Sequence, residues 1–348
     1  MAEEGAYRTW AGISQAIKTE ATRITKSGQS SLNLNEQILQ ANHDRLLSRV
    51  FADGDESEWL LKGGTAMLAR VPKSRSTKDL DLAATTIADL DAAQDALEAA
   101  AGRDLGDHIA FTLTGARETG QGQNQPGVQT RRLTFTASDQ TTGRRLFDVP
   151  IDVVVGPPPI GTVTTTDPSN RLALGRPLTS HPYRLYPLAD QIADKVTATM
   201  TLYDGRPSSR TKDLVDLVTI ARTQSVDLRE LQMAIDAKRA LSHLAPFAEF
   251  TVPDDWARSY RALAAKTLIT QDLLELDDAL TLAKQMIDPA LDEAAAPDGV
   301  TWVPGHGWSD DTTSITPTED PAPSGDVHVT SYVRGTGPVV SHWRRARG

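Results

Sequence analysis

Residues 60–82, LLKGGTAMLARVPKSRSTKDLDL, decide the fold. The apolar run Trp59-Leu60-Leu61-Lys62 breaks at Gly63-Gly64 and resumes as Thr65-Ala66-Met67-Leu68-Ala69, rich in helix formers. That spacing predicts a strand or turn, a tight glycine turn, then a short helix. Pro72 to Lys78 reads as a basic loop. Leu80, Leu82 and Ala83 alternate imperfectly with Asp79 and Asp81, which predicts a short strand carrying an acidic pair.

Upstream, the string LNEQILQANHDRLLSRVF (34–51) sets Ile38, Leu39, Leu46, Leu47 and Val50 at helical spacing. Downstream, an Ala- and Leu-rich helix is expected to begin near Ile87. β-like segments follow at Ile109–Thr114, Arg131–Thr136 and Arg145–Val155, and GARETGQGQNQPG (115–127) reads as a flexible loop. After Pro187 the periodicity predicts helices only: Leu188–Met200, Lys212–Ala221, Leu228–Leu244, Asp254–Lys266 and Gln271–Met286. The fold class is thus α/β (α+β), a mixed sheet with helices followed by a helical C-terminal half. The expected division is an N-terminal extension (1–33), an α/β domain (34–186), a helical domain completing the site (187–288), a disordered linker (289–325) and a basic tail (326–348). The linker expectation rests on DDTTSITPTEDPAPSGD, whose Asp, Pro, Ser and Thr content cannot offset the entropy of ordering.

With 348 residues and 39% hydrophobic composition the chain can bury a full core. It has no cysteine, which removes thiol nucleophiles, thiolate metal sites and disulfides. A net charge of -10 speaks against indiscriminate coating of nucleic acid and leaves room for a local basic groove. No apolar run is long enough to span a bilayer, and the N-terminus lacks a basic start followed by an apolar stretch, so a cytoplasmic location without membrane contact is expected.

Two carboxylates one residue apart on a strand project to one face, so Asp79 and Asp81 can share a divalent cation. In VPIDVVV (149–155) the charge of Asp152 interrupts an apolar strand; a buried carboxylate needs a cation or donors, and Asp152 is the natural third ligand. Three carboxylates around Mg²⁺ or Mn²⁺ suit transfer from a nucleoside triphosphate. Gly63 and Gly64 let the backbone approach a phosphate, with the amides of the next helix aimed at the anion and Thr65 as a hydroxyl donor. Arg210, Lys212 and Asp213, clustered before an apolar helix, are placed to grip phosphate. Taken alone, Lys195 reads as a solvated helix charge and Asp213 as a first-turn acid. The seven histidines show no metal-binding spacing, and neither a P-loop nor a G-x-S-x-G elbow is present.

Gly-Gly, a short helix, an Asp-x-Asp strand and a later strand Asp form the pattern of the nucleotidyltransferase fold. More specifically, residues 60–82 resemble the first motif of the AbiEii family, the toxins of bacterial abortive-infection toxin–antitoxin pairs. HDRLLSRVF, YPLADQIADKVTATM and RPSSRTKDLVDLVTI resemble the same family, over about Asn35 to Met286. The resemblance implies that Gly63, Gly64 and Thr65 cradle the triphosphate, that Asp79 and Asp81 hold metal, and that Asp152 is the third carboxylate or base. It also implies that Lys195 touches phosphate, that Lys212 and Asp213 line the site, and that Arg75 and Thr77 stand beside the metal ligands. The acceptor it implies is the 3′ end of tRNA, and the partner a cognate antitoxin from a neighbouring gene. Basic clusters Lys73/Arg75/Lys78, Arg131/Arg132, Arg144/Arg145 and Arg206/Arg210/Lys212 would suit an RNA backbone. A protein or small-molecule acceptor, or a GTP-binding regulator without turnover, are the other readings. In the tail, Arg334, Arg344, Arg345 and Arg347 interleave with Tyr332, His342 and Trp343, which fits base stacking and phosphate contact as well as a passive tag.

Overall fold

The computed structural model describes residues 6–87, 89–119, 128–292 and 294–310, with four short strands between residues 326 and 345. The chain enters through α1 (Trp10–Ser27), where the Thr9 hydroxyl accepts from the Gly12 amide at 3.2 Å, a helix N-cap. Trp10, Ile13 and Ile17 form one helical face and are buried in the same core as the sheet, so most of the expected N-terminal extension is a packed helix. α2 (Leu34–Val50) starts in a capping box between Asn33 and Glu36. Near its end Arg49, with no exposed surface, grips Asp107 through bonds of 2.9 and 2.6 Å and also donates to the carbonyls of Arg45, Arg103 and Ile109. A buried guanidinium is tolerated because its donors find acceptors and its charge finds a carboxylate.

β1 (Trp59–Lys62) runs directly into α3 (Gly63–Arg70), then β2 (Leu80–Ala84), α4 (Leu90–Ala101), β3 (Ile109–Thr119), β4 (Gln129–Asp139), β5 (Arg145–Val155), β6 (Thr164–Thr166) and β7 (Tyr183–Leu185). The helix expected near Ile87 starts at Leu90 because Asp89 caps it, accepting from Ala92 N at 2.8 Å. β3 runs on to Thr119, through the first residues of the expected loop, whose remainder from 120 to 127 lies outside the described residues. Strands β1 to β7 form one mixed sheet in the order β3-β4-β5-β2-β1-β7-β6, with β2 parallel to β5, β1 parallel to β7 and the other pairs antiparallel. Side chains alternate across it. Leu61, Leu80, Leu82, Leu133, Phe135, Ile151 and Val153 face one large core with α1, α2 and α4, and the intervening polar positions face the other way.

The second half contains α5 (Leu188–Met200), α6 (Thr211–Thr223), β8 (Val226–Asp227), α7 (Leu228–Leu241), α8 (Ala257–Ala264) and α9 (Leu276–Ile287), closed by β9 (Thr301–Val303) and β10 (Gly307–Ser309). Helices alone do not describe it, since β8, β9 and β10 form a small antiparallel sheet. Residues 289–310, expected as the start of a linker, are held by Trp302, which is buried and donates from Nε1 to the Ala221 carbonyl at 2.9 Å. Trp302 and Trp308 also meet edge to face at 5.7 Å, enough apolar area to anchor this segment. Met1–Asp310 form one unit and Asp311–Gly348 a second. In the second unit 326–329 pairs with 342–345 and 332–334 with 337–339, while the linker from 311 to 325 lies outside the described residues. No helix among the described residues is long and apolar enough to cross a membrane.

Candidate active site

On the polar face of the sheet, Lys62 of β1 is the register partner of Asp81 on β2, Asp81 of Asp152 on β5, and Asp152 of Arg132 on β4. Partnered positions on neighbouring strands present their side chains to the same face, so these four make a charge row of plus, minus, minus, plus. Burial, with the like charges of Asp152 and Asp79 nearby, pushes the Asp81 carboxyl above its ordinary range. Asp79 lies just before β2 with 55% of its side chain exposed, and the Arg132 guanidinium stands 3.7 Å from it.

Beside Asp81 the chain turns at Gly63, whose φ of 64° is left-handed. A Cβ built on Gly64 would meet the Thr77 side chain at 2.8 Å. Thr77 thus packs on the turn, and its carbonyl accepts from Gln40 at 2.9 Å. Thr65 is buried and donates its O–H to the Asp79 carbonyl at 3.1 Å, which positions the entry to β2 and spends the hydrogen expected for a phosphate. α3 has no side-chain cap at its start, leaving its first amides available to an anion. A cleft of about 490 Å³ opens here, within the range of small-molecule sites, lined among others by Lys62, Gly63, Asp81, Tyr186, Lys195 and Arg210.

Lys195 of α5 is buried and bonds Asp213 at 3.1 Å and Asp216 at 2.6 Å. Arg75 reaches Asp216 at 2.7 Å and Arg210 reaches Asp213 at 2.5 Å. Burial opposes the charge of Lys195, but Asp216 and Asp213 outweigh it and hold the ammonium above its usual range. Lys195 and Asp213 therefore tie α5 to α6 at the cleft wall, with Arg75 joining from the loop. Lys212 is exposed on a neighbouring groove that it shares with Arg75, Arg210 and Lys266, and it does not line the cleft.

Several charged residues of this region escape sequence reading. Lys62 stands immediately before the glycine pair, and Asp194 next to Lys195; Lys62 and Lys238 approach Asp194 at 2.9 and 3.0 Å. Arg132 donates to both oxygens of Asp152, at 2.8 and 2.6 Å. The only sequence signal for Lys62 and Asp194 was adjacency to residues already singled out; Arg132 was read as half of a basic pair suited to RNA and not as the partner of Asp152, and for Lys238 there was no signal.

Among the described residues no three Asp, Glu, His or Cys side chains converge as a ready-made metal cage. The donor set nevertheless fits a hard divalent cation: Asp79, Asp81 and Asp152 are all oxygen donors, and burial with the repulsion of the other two outweighs the attraction of Lys62 and Lys195 at Asp81. Arg132 supplies the counter-charge at Asp152 and would have to yield it to a cation.

Residues 45–296 match the family described as nucleotidyl transferase AbiEii toxin, type IV toxin–antitoxin system. The chain belongs to the AbiEii family. Its members are nucleotidyltransferase toxins that use a nucleoside triphosphate, so this AbiEii chain is a nucleotidyltransferase, and the system implies a cognate antitoxin. Among solved structures, MenT4, a nucleotidyltransferase toxin from Mycobacterium tuberculosis H37Rv, is 17% identical, with 79% of this chain and 94% of that chain covered and a TM-score of 0.43. JHP933 from Helicobacter pylori is 14% identical, covering 72% of this chain and 93% of its own, with a TM-score of 0.39. No curated protein matches.

Proposed function

We propose that this enzyme transfers a nucleoside monophosphate from an NTP to the 3′ end of tRNA, stopping translation, with Mg²⁺ or Mn²⁺ held by Asp79, Asp81 and Asp152. The observation that carries this reading is the in-register pairing of Asp81 with Asp152 beside the Gly63 turn. In the transfer, a 3′-hydroxyl oxygen bonds to the α-phosphorus, the bond to the bridging oxygen breaks, pyrophosphate leaves, and the hydroxyl proton passes to a base. Asp152 is a candidate for that base once Arg132 releases it. A bound cation would neutralise the triphosphate and hold the attacking and leaving oxygens in line. Gly63 and Gly64 admit the phosphates to the first amides of α3, while Thr65 and Thr77 keep the turn and Asp79 in place. Lys195, Asp213 and Arg75 brace the opposite wall.

An RNA acceptor is supported by the groove of about 1040 Å³ beside the cleft, lined by Arg75, Arg210, Lys212 and Lys266. Half of the expected basic rim is already paired: Arg75 with Asp216, Arg131 with Asp91, Arg132 with Asp152, Arg145 with Asp148 and Arg210 with Asp213. Lys212 and Lys266 have no ion pair among the described residues. Incubating the protein and Mg²⁺ with each labelled NTP and total RNA should label tRNA, and Asp79→Asn should abolish the label in a protein that still folds. Label on protein would move the acceptor to a protein hydroxyl, and nucleotide bound but unconsumed would favour a nucleotide sensor.

A further inference from the structure

We propose that Lys62 and Lys238, held apart by Asp194, form the anchor for the β- and γ-phosphates of the NTP, an inference that rests on the nucleotidyl-transfer reading above. Asp194 on α5 bonds Lys62 of β1 at 2.9 Å and Lys238 of α7 at 3.0 Å, so one carboxylate serves two ammonium groups. Lys238 also donates to the Tyr186 hydroxyl at 2.6 Å, and the Lys62 ammonium stands 4.1 Å from the centre of the Tyr186 ring. Burial works against both lysines, yet Asp194 keeps them more firmly protonated than free lysines. The three groups together carry one positive charge, which faces Asp81 along the row, with donors to spare on ammonium groups that each carry three.

The contrast with Lys195 is direct. That ammonium faces two carboxylates, Asp213 and Asp216, rather than one, and Arg210 and Arg75 bind the same two acids. Position points the same way. Lys62 precedes Gly63 at the uncapped start of α3, so its ammonium and the first amides of that helix share one end of the cleft. Moving along the row from Asp152 through Asp81 leads to Lys62, then Asp194 and Lys238. An α-phosphate placed at the carboxylates would send its β- and γ-phosphates along this line. The two lysines would then meet the negative charge that grows on departing pyrophosphate. Lys238 stands behind Asp194, which lines the cleft, and itself faces a separate hollow lined by Pro157, Ile160 and His243.

The test is calorimetric titration of the full chain, in Mg²⁺ buffer without acceptor, with inorganic tripolyphosphate, an NTP and the NMP of the same base. Lys62→Gln and Lys238→Gln should each weaken tripolyphosphate and NTP by about tenfold or more while leaving NMP little changed. Asp194→Asn, of the same shape, should tighten tripolyphosphate, because both ammonium groups then lack their counter-ion; a purely structural salt bridge predicts no gain. Lys238→Arg should recover most of the affinity lost in Lys238→Gln. Thermal unfolding of each variant confirms the fold, and Asp194→Asn and Lys238→Arg keep the test readable if a glutamine variant does not fold. Tripolyphosphate binding unchanged in folded Lys62→Gln and Lys238→Gln, or equal losses for NTP and NMP, would overturn the anchor. If wild type still transfers nucleotide in an Asp79-dependent way, only the anchor falls; if wild type transfers none, the transfer reading falls with it.

Discussion

Arg132 holds Asp152 through two parallel N–H···O bonds of 2.8 and 2.6 Å and stands 3.7 Å from Asp79, so a single guanidinium serves both of these carboxylates. Such a fork competes with any cation for the same oxygens. Arg132→Gln is expected to enlarge the rise in unfolding temperature caused by millimolar Mn²⁺, relative to wild type. An unchanged or smaller shift would mean that Arg132 does not occupy the cation's place.

Asp81 carries burial and the repulsion of Asp152 and Asp79 together. Asp81→Asn removes a charge that the metal-free fold has to tolerate, so without divalent ions its unfolding temperature should be no lower than that of wild type. Nucleotide transfer should fall by roughly a hundredfold or more, about 3 kcal/mol of transition-state stabilisation. Strong destabilisation with activity retained would show that Asp81 serves the fold rather than the reaction.

Gly63 and Asp81 approach so closely that a Cβ built on Gly63 would lie 2.0 Å from the Asp81 Oδ2. Gly63→Ala therefore forces the carboxylate aside and strains a left-handed residue, costing about 1–2 kcal/mol before the clash is counted. Gly28 has a similar φ, 67°, with nothing within 4 Å of its added Cβ. Gly28→Ala should show the strain alone and keep full transfer activity, whereas Gly63→Ala should lose activity. Equal activity in the two variants would remove the turn from the site.

His43 of α2 is fully buried, neither ring nitrogen has a partner among the described residues, and burial pushes its pKa down to about 4. The unfolded chain protonates this ring near pH 6.5, the folded chain only near 4. The folded state thus binds fewer protons between those values, and His43 contributes stability above about pH 6.5 that is lost as pH falls toward 4. The loss approaches roughly 1.4 kcal/mol per pH unit within that window. Denaturant titrations of wild type and His43→Leu should differ in their pH slope over this interval, the variant being flatter; parallel slopes would show that His43 does not titrate there.

Local pattern carried much of this architecture. The 3.6-residue spacing of Ile38, Leu46, Leu47 and Val50 places α2, and the apolar run broken by Asp152 places β5, because periodicity is a property of neighbours in the chain. The same rule would have found α1 in Trp10, Ile13, Ile17 and Ala21, behind the cap at Thr9. Residues 289–310 read as linker because their composition is polar and Pro-rich, yet two tryptophans supply enough buried area to hold them. By itself the sequence determined that Gly63-Gly64 precedes a helix, that Asp79 and Asp81 can share a face, and that this chemistry needs oxygen or imidazole donors, since no thiol exists. Only the tertiary structure decided that Lys62, Asp81, Asp152 and Arg132 stand in one row, that Lys195 is consumed by Asp213 and Asp216, and that Lys212 faces a different groove. Strand register and helix docking join residues tens of positions apart, and no local spacing encodes which of them will meet.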